Sequence, residues 1–68
     1  MTILQKLRLI LEKTHNGNSF QQQCRIHKII IEKLSDDTIV AYYADDRDEQ
    51  SVVDTSIPPF SIIIKFLL

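Results

Sequence analysis

The chain has 68 residues, 44% of them hydrophobic, and a formal net charge of −1 at pH 7. That is one domain at most, and a domain this small buries only about 60% of its unfolded surface and needs added stabilisation. A single cysteine, Cys24, closes no intrachain disulfide, and one Gly and two Pro exclude a low-complexity chain.

The net charge conceals a division. Lys6, Arg8, Lys13, Arg25, Lys28 and Lys33 stand against Glu12 and Glu32 in the first half, whereas Asp36, Asp37, Asp45, Asp46, Asp48, Glu49 and Asp54 stand against Arg47 and Lys65 in the second. Met1–Leu11 interleaves Lys6 and Arg8 with apolar residues, which is unlike a secretory leader. The longest apolar run, Phe60–Leu68, is interrupted by Ser61 and Lys65 and falls well short of the roughly 20 residues of a membrane helix. With an unpaired cysteine, the expectation is a soluble cytoplasmic protein.

In chain order, Ile3, Leu4, Leu7, Ile10 and Leu11 form a stripe of helical period, and Thr2 with Gln5 has capping-box spacing. This predicts a first helix ending near Lys13–His15, where Asn16-Gly17 offers a left-handed closing residue. A second helix is predicted from Asn18 or Ser19. Its face would be Phe20, Cys24, His27, Ile31 and Leu34, at steps of four and three. The competing reading makes residues 24–34 a strand, which the β-branched run Ile29-Ile30-Ile31 favours. Thr38–Ala44 is predicted as a strand, Asp45–Gln50 as a polar break, and Ser51–Ser56 as a short strand around Val52-Val53. Ile57-Pro58-Pro59 interrupts any sheet. Phe60, Ile62, Ile64 and Phe66 alternate with Ser61, Ile63, Lys65 and Leu67, predicting a last strand, with a helix from Pro59 as the alternative.

The fold expected is α+β: one domain over residues 1–68, with two N-terminal helices, the second replaceable by a strand, on one face of a small antiparallel three-stranded sheet. The last strand would carry Ile63 and Leu67 on a face with nothing left to cover it, so these two and the adjoining Leu68 are the expected interface of a homo-oligomer, most simply a two-fold dimer.

No motif carries a complete chemistry. Tyr43-Ala44-Asp45-Asp46 resembles the metal-binding catalytic box of reverse transcriptases. The resemblance ends there, because Arg47-Asp48-Glu49-Gln50 follows where that family continues into an apolar strand. A calcium loop begun at Asp46 fails, with Ser51 at the turn position and Ile57 at the distal one. Cys24 and His27 share a helical face but supply two of the four ligands of structural zinc, and as a nucleophile and base they lack an orienting third group. No catalytic residue, metal or cofactor is therefore expected. The acidic turn Asp45, Asp46, Asp48 and Glu49 could receive a protein partner. Arg25, Lys28 and Lys33 are the candidate contacts of an alternative, nucleic-acid-binding function. The expected function is that of a small non-enzymatic interaction or regulatory protein that self-associates through its C-terminal segment.

Overall fold

The computed structural model describes residues 1–67. The elements run α1 (Ile3–Lys13), α2 (Gly17–Ile26), β1 (Ile29–Ser35), β2 (Thr38–Tyr43), β3 (Asp46–Val53), a single 3-10 turn over Phe60–Ile62, and α3 (Ile63–Phe66). The three strands form one antiparallel sheet in the order β1-β2-β3. The architecture is α+β.

Helix α1 forms as its sequence dictates. The Gln5 amide donates to Thr2 Oγ1 at 3.2 Å and the Thr2 amide to Gln5 Oε1 at 2.7 Å, closing the capping box. Ile3, Leu7, Ile10 and Leu11 are buried along the stripe. Asn16-Gly17 does not close this helix in a left-handed conformation. Asn16 instead caps α2, accepting from the Ser19 amide at 2.9 Å while the Asn16 amide donates to Ser19 Oγ at 3.2 Å. Gly17 permits a close approach: a Cβ there would lie 3.2 Å from the Phe66 carbonyl oxygen, and the neighbour would have to give by a few tenths of an ångström.

The second helix stops eight residues short of Leu34. His27 is its C-cap, and Lys28 has a φ of 59°, the one positive φ outside glycine among the described residues. A left-handed residue ends a helix, and glycine usually fills that position because a side chain there costs about 1–2 kcal/mol. The triplet Ile29-Ile30-Ile31 then does what β-branched residues do best, entering a strand. Phe20 and Cys24 keep the helical stripe's core contacts, whereas His27 and Leu34 are exposed. The sheet thus takes residues 29–35, and β3 absorbs Asp46–Gln50, which the sequence suggested as a turn; the actual turn is Ala44-Asp45.

The C-terminal segment is helical where a strand was expected. Pro58-Pro59 offers no amide for pairing, and Phe60, Ile63 and Phe66 recur at helical spacing towards the core. Ile63 is fully buried within its own chain, and the Phe66 ring stacks at 40° to Phe20 with centroids 5.3 Å apart. The Gln21 side-chain amide donates to the Phe66 carbonyl at 3.3 Å, satisfying an otherwise free helix-end acceptor. The core lies between the helices and the inner face of the sheet, with Leu7, Phe20 and Ile63 at its centre and Ile29, Ile39, Ala41 and Val53 beneath them.

Two substitutions test this arrangement by chemical denaturation. Ile63→Ala should cost about 2–5 kcal/mol, a large share of what a domain of this size has; a residue on an uncovered strand would cost little. Lys28→Gly should gain about 0.5–1 kcal/mol, the relieved left-handed strain less the added freedom of glycine in the unfolded chain.

Candidate interaction surface

The register decides which backbone groups of β1 are free. The Ala44 amide donates to the Lys28 carbonyl at 2.8 Å, and Ile29, Ile30 and Ile31 stand opposite Tyr43, Tyr42 and Ala41. Residues 28 and 44 are therefore a hydrogen-bonded pair, and such pairs alternate along an antiparallel ladder. The backbone groups of Ile30 and Glu32 turn towards β2, and those of Ile29, Ile31 and Lys33 turn outwards. No backbone bond from another described residue reaches these outward groups.

The two edges of the sheet are guarded unequally. Edge strands invite pairing unless charge or a bulge blocks it. β3 has both guards. It begins Asp46-Arg47-Asp48-Glu49, all exposed, and its register against β2 slips between Ala41↔Ser51 and Tyr43↔Asp46, so that Arg47, Asp48 and Glu49 fall in the irregular stretch between the two. β1 has its own irregularity at the far end, between Lys33 and Ser35, where one extra residue is accommodated. Its first half, Ile29-Ile30-Ile31, has neither charge nor bulge.

The outer face of the sheet, away from the helices, is apolar along its middle. Val40 and Tyr42 point there and lie outside the core cluster, yet both are buried by their neighbours. Ile30 and Val52 flank them on β1 and β3, 38% and 66% exposed, and Leu34 lies further along β1 at 54%. The Tyr42 hydroxyl donates to Glu32 Oε1 at 3.3 Å, which gives the buried ring's polar tip a partner and holds the carboxylate on this face.

Beside the free half of β1, between it and α2, is a groove of about 430 Å³. Phe20, Cys24, Ile29 and Leu67 line it, and Arg25 and Lys28 stand at its rim. Of the three cations considered for nucleic acid, these two converge. Lys33 borders a separate hollow and sits 3.5 Å from Asp36, an exposed pair that contributes little. Two other basic residues lie over aromatic rings, Lys6 over Tyr43 at 5.6 Å and Arg8 over Phe60 at 5.8 Å.

The expected C-terminal interface separates in the structure. Ile63 is a core residue, so burial within the chain removes it from any outer surface. Leu67 packs partly against the core and lines the groove. Leu68 lies outside the described residues. Asp45, Asp46, Asp48 and Glu49 are all exposed around the β2–β3 turn. Sequence reasoning missed Ile30 and the edge it belongs to. The available signal was the β-branched triplet followed by Ser35-Asp36-Asp37-Thr38, a strand running into a turn.

The nucleophile pair does not form. Cys24 is buried, and burial pushes its thiol up to about 11, so it is protonated at neutral pH and a poor nucleophile. His27 is an exposed helix cap. Among the described residues no three His, Cys, Asp or Glu side chains are grouped to hold a metal ion. Hydrogen bonds from the hydroxyl and amide of Ser56 hold the pKa of Asp54 below the ordinary carboxylate value and make a local turn there. No described helix is long and apolar enough to cross a membrane. Comparison with family models, with curated proteins and with solved structures found no match.

The Cys24 environment has a pH signature. A thiol whose folded pKa is raised stabilises the fold fully below its unfolded value, and the contribution is lost as pH rises through the folded one. Wild-type stability should therefore fall between about pH 9 and 11 more steeply than that of Cys24→Ala. Parallel curves for the two proteins would show that the thiol is not desolvated.

Proposed function

We propose that this chain is a small non-enzymatic interaction protein that self-associates through the free edge of β1. The observation that carries the reading is the asymmetry of the sheet. One edge is charged and bulged, and the other presents Ile29-Ile30-Ile31 with outward backbone groups unbonded among the described residues. Pairing there would satisfy backbone donors and acceptors and remove exposed apolar surface from water. It would also supply the extra burial that so short a chain needs. The buried and protonated Cys24 supports a role without thiol catalysis.

Nucleic-acid contact has less support. Arg25 and Lys28 share the groove rim, but Ala44 lines the same groove and leads directly into the acidic turn, whose charge opposes a phosphate backbone. The exposed residues Asp45, Asp46, Asp48 and Glu49 leave that turn as a proposed contact for a basic protein partner.

Light scattering across the micromolar range tests the reading. The wild type should be oligomeric. Ile30→Lys, which puts a charge on the free edge, should weaken association at least tenfold, equivalent to about 1.4 kcal/mol. Val52→Lys, on the guarded side of the sheet, should leave it unchanged. A folded wild-type monomer throughout that range would refute self-association.

A further inference from the structure

The geometry points to one register for this association: two copies of β1 pair antiparallel about a two-fold axis passing through Ile30. The inference rests on the self-association proposed above and specifies its geometry.

The outward backbone groups restrict the choice. Ladder bonds across the seam must join residues whose groups turn outwards, namely Ile29, Ile31 and Lys33. A two-fold axis between residues would set an outward group against an inward one and form no ladder. The axis must therefore pass through a residue, and the three within the strand's reach are Ile30, Ile31 and Glu32.

Side chains separate these three. An axis at Glu32 places that carboxylate against the partner's Glu32, and like charges directly opposite are destabilising. An axis at Ile31 sets Ile30 against the partner's Glu32 and Ile29 against the partner's Lys33, joining apolar to charged residues twice on each side. An axis at Ile30 pairs Ile30 with the partner's Ile30 and Ile29 with the partner's Ile31, and places Lys28 opposite the partner's Glu32. Every apolar residue meets another, and each cation meets an anion at both ends of the seam.

The intrachain contacts fit the same register. Glu32 is already held on the outer face by the Tyr42 hydroxyl, so the anion is positioned before a partner arrives. Ile30 stands beside Tyr42, and the axis would place Tyr42, Ile30, the partner's Ile30 and the partner's Tyr42 in one continuous apolar row. Lys28 also gains an explanation. A left-handed position that glycine would fill at lower cost holds a lysine, and that lysine is the cation this register uses.

Cross-linking tests the axis. In a Cys24→Ala background, Ile30→Cys should oxidise rapidly to a disulfide-linked dimer, because a non-hydrogen-bonded antiparallel pair has its Cα atoms about 4.5 Å apart, within disulfide reach. Val52→Cys in the same background should remain largely reduced. Lys28→Glu and Glu32→Lys should each raise the dimer dissociation constant about tenfold, and the double swap should recover most of that loss, a recovery that removing the Tyr42 hydrogen bond alone would not give. A wild-type dimer whose Ile30→Cys stays reduced, or in which Glu32→Cys cross-links faster than Ile30→Cys, overturns the register and leaves self-association standing. A double swap that stays as weak as the single ones overturns the Lys28–Glu32 pairing. A monomeric wild type overturns both proposals and leaves the β1 edge to a segment of another protein.

Discussion

The left-handed backbone at Lys28 is the constraint on which the rest of the molecule turns. It ends α2 in a single residue and aims the chain into the sheet, where its carbonyl accepts the Ala44 amide. That bond fixes the phase of the ladder. Ile29 and Ile31 then point into the core, Ile30 and Glu32 face outwards, and the outward-turned backbone groups fall on the apolar half of the strand. A one-residue slip at this point would exchange the two faces of β1, putting Glu32 into the core beside Cys24 and Phe20. The strain at Lys28 is small against that cost, so it persists.

From this phase follows a sheet with two different surfaces. The inner one carries the core, closed by α1, α2 and the short α3 with its buried Ile63. The outer one lies outside the core cluster, yet Val40 and Tyr42 are buried, with Ile30, Glu32 and Val52 as their cross-strand neighbours. A three-stranded sheet in so short a chain has two edges and one covered face, and the charges in the sequence fall where they protect β3. The division of charge between the two halves therefore has a structural component: the acidic residues of the second half guard one edge and one turn, while two basic residues of the first half, Arg25 and Lys28, frame the groove beside the other edge.

How far the sequence could be read depended on whether its apolar residues obeyed one period or two. In α1 the stripe fits only a helix, and Thr2 and Gln5 mark its start, so the element and its first residue were legible, whereas the way it ends was not. From Phe20 to Leu34 the spacing fits a helix throughout, and the switch to strand is set by local strain at Lys28 and by cross-strand partners that lie beyond the turn at Asp36-Asp37; neither has a periodic signature. At Phe60–Leu67 nearly every position is apolar, so alternation and helical spacing coexist, and packing of Phe66 on Phe20 decides between them. The interaction surface was illegible for a related reason. A free edge belongs to the topology of the sheet, and residues 29–31 could be seen as an edge only once they were known to be a strand.

The most direct measurement of the central claim is amide hydrogen exchange of β1 at several protein concentrations. The Ile31 amide, which turns outwards, should exchange rapidly in dilute protein and become protected as concentration rises, while the Ile30 amide, bonded towards β2, should be protected throughout. An Ile31 amide whose exchange is independent of concentration would contradict it.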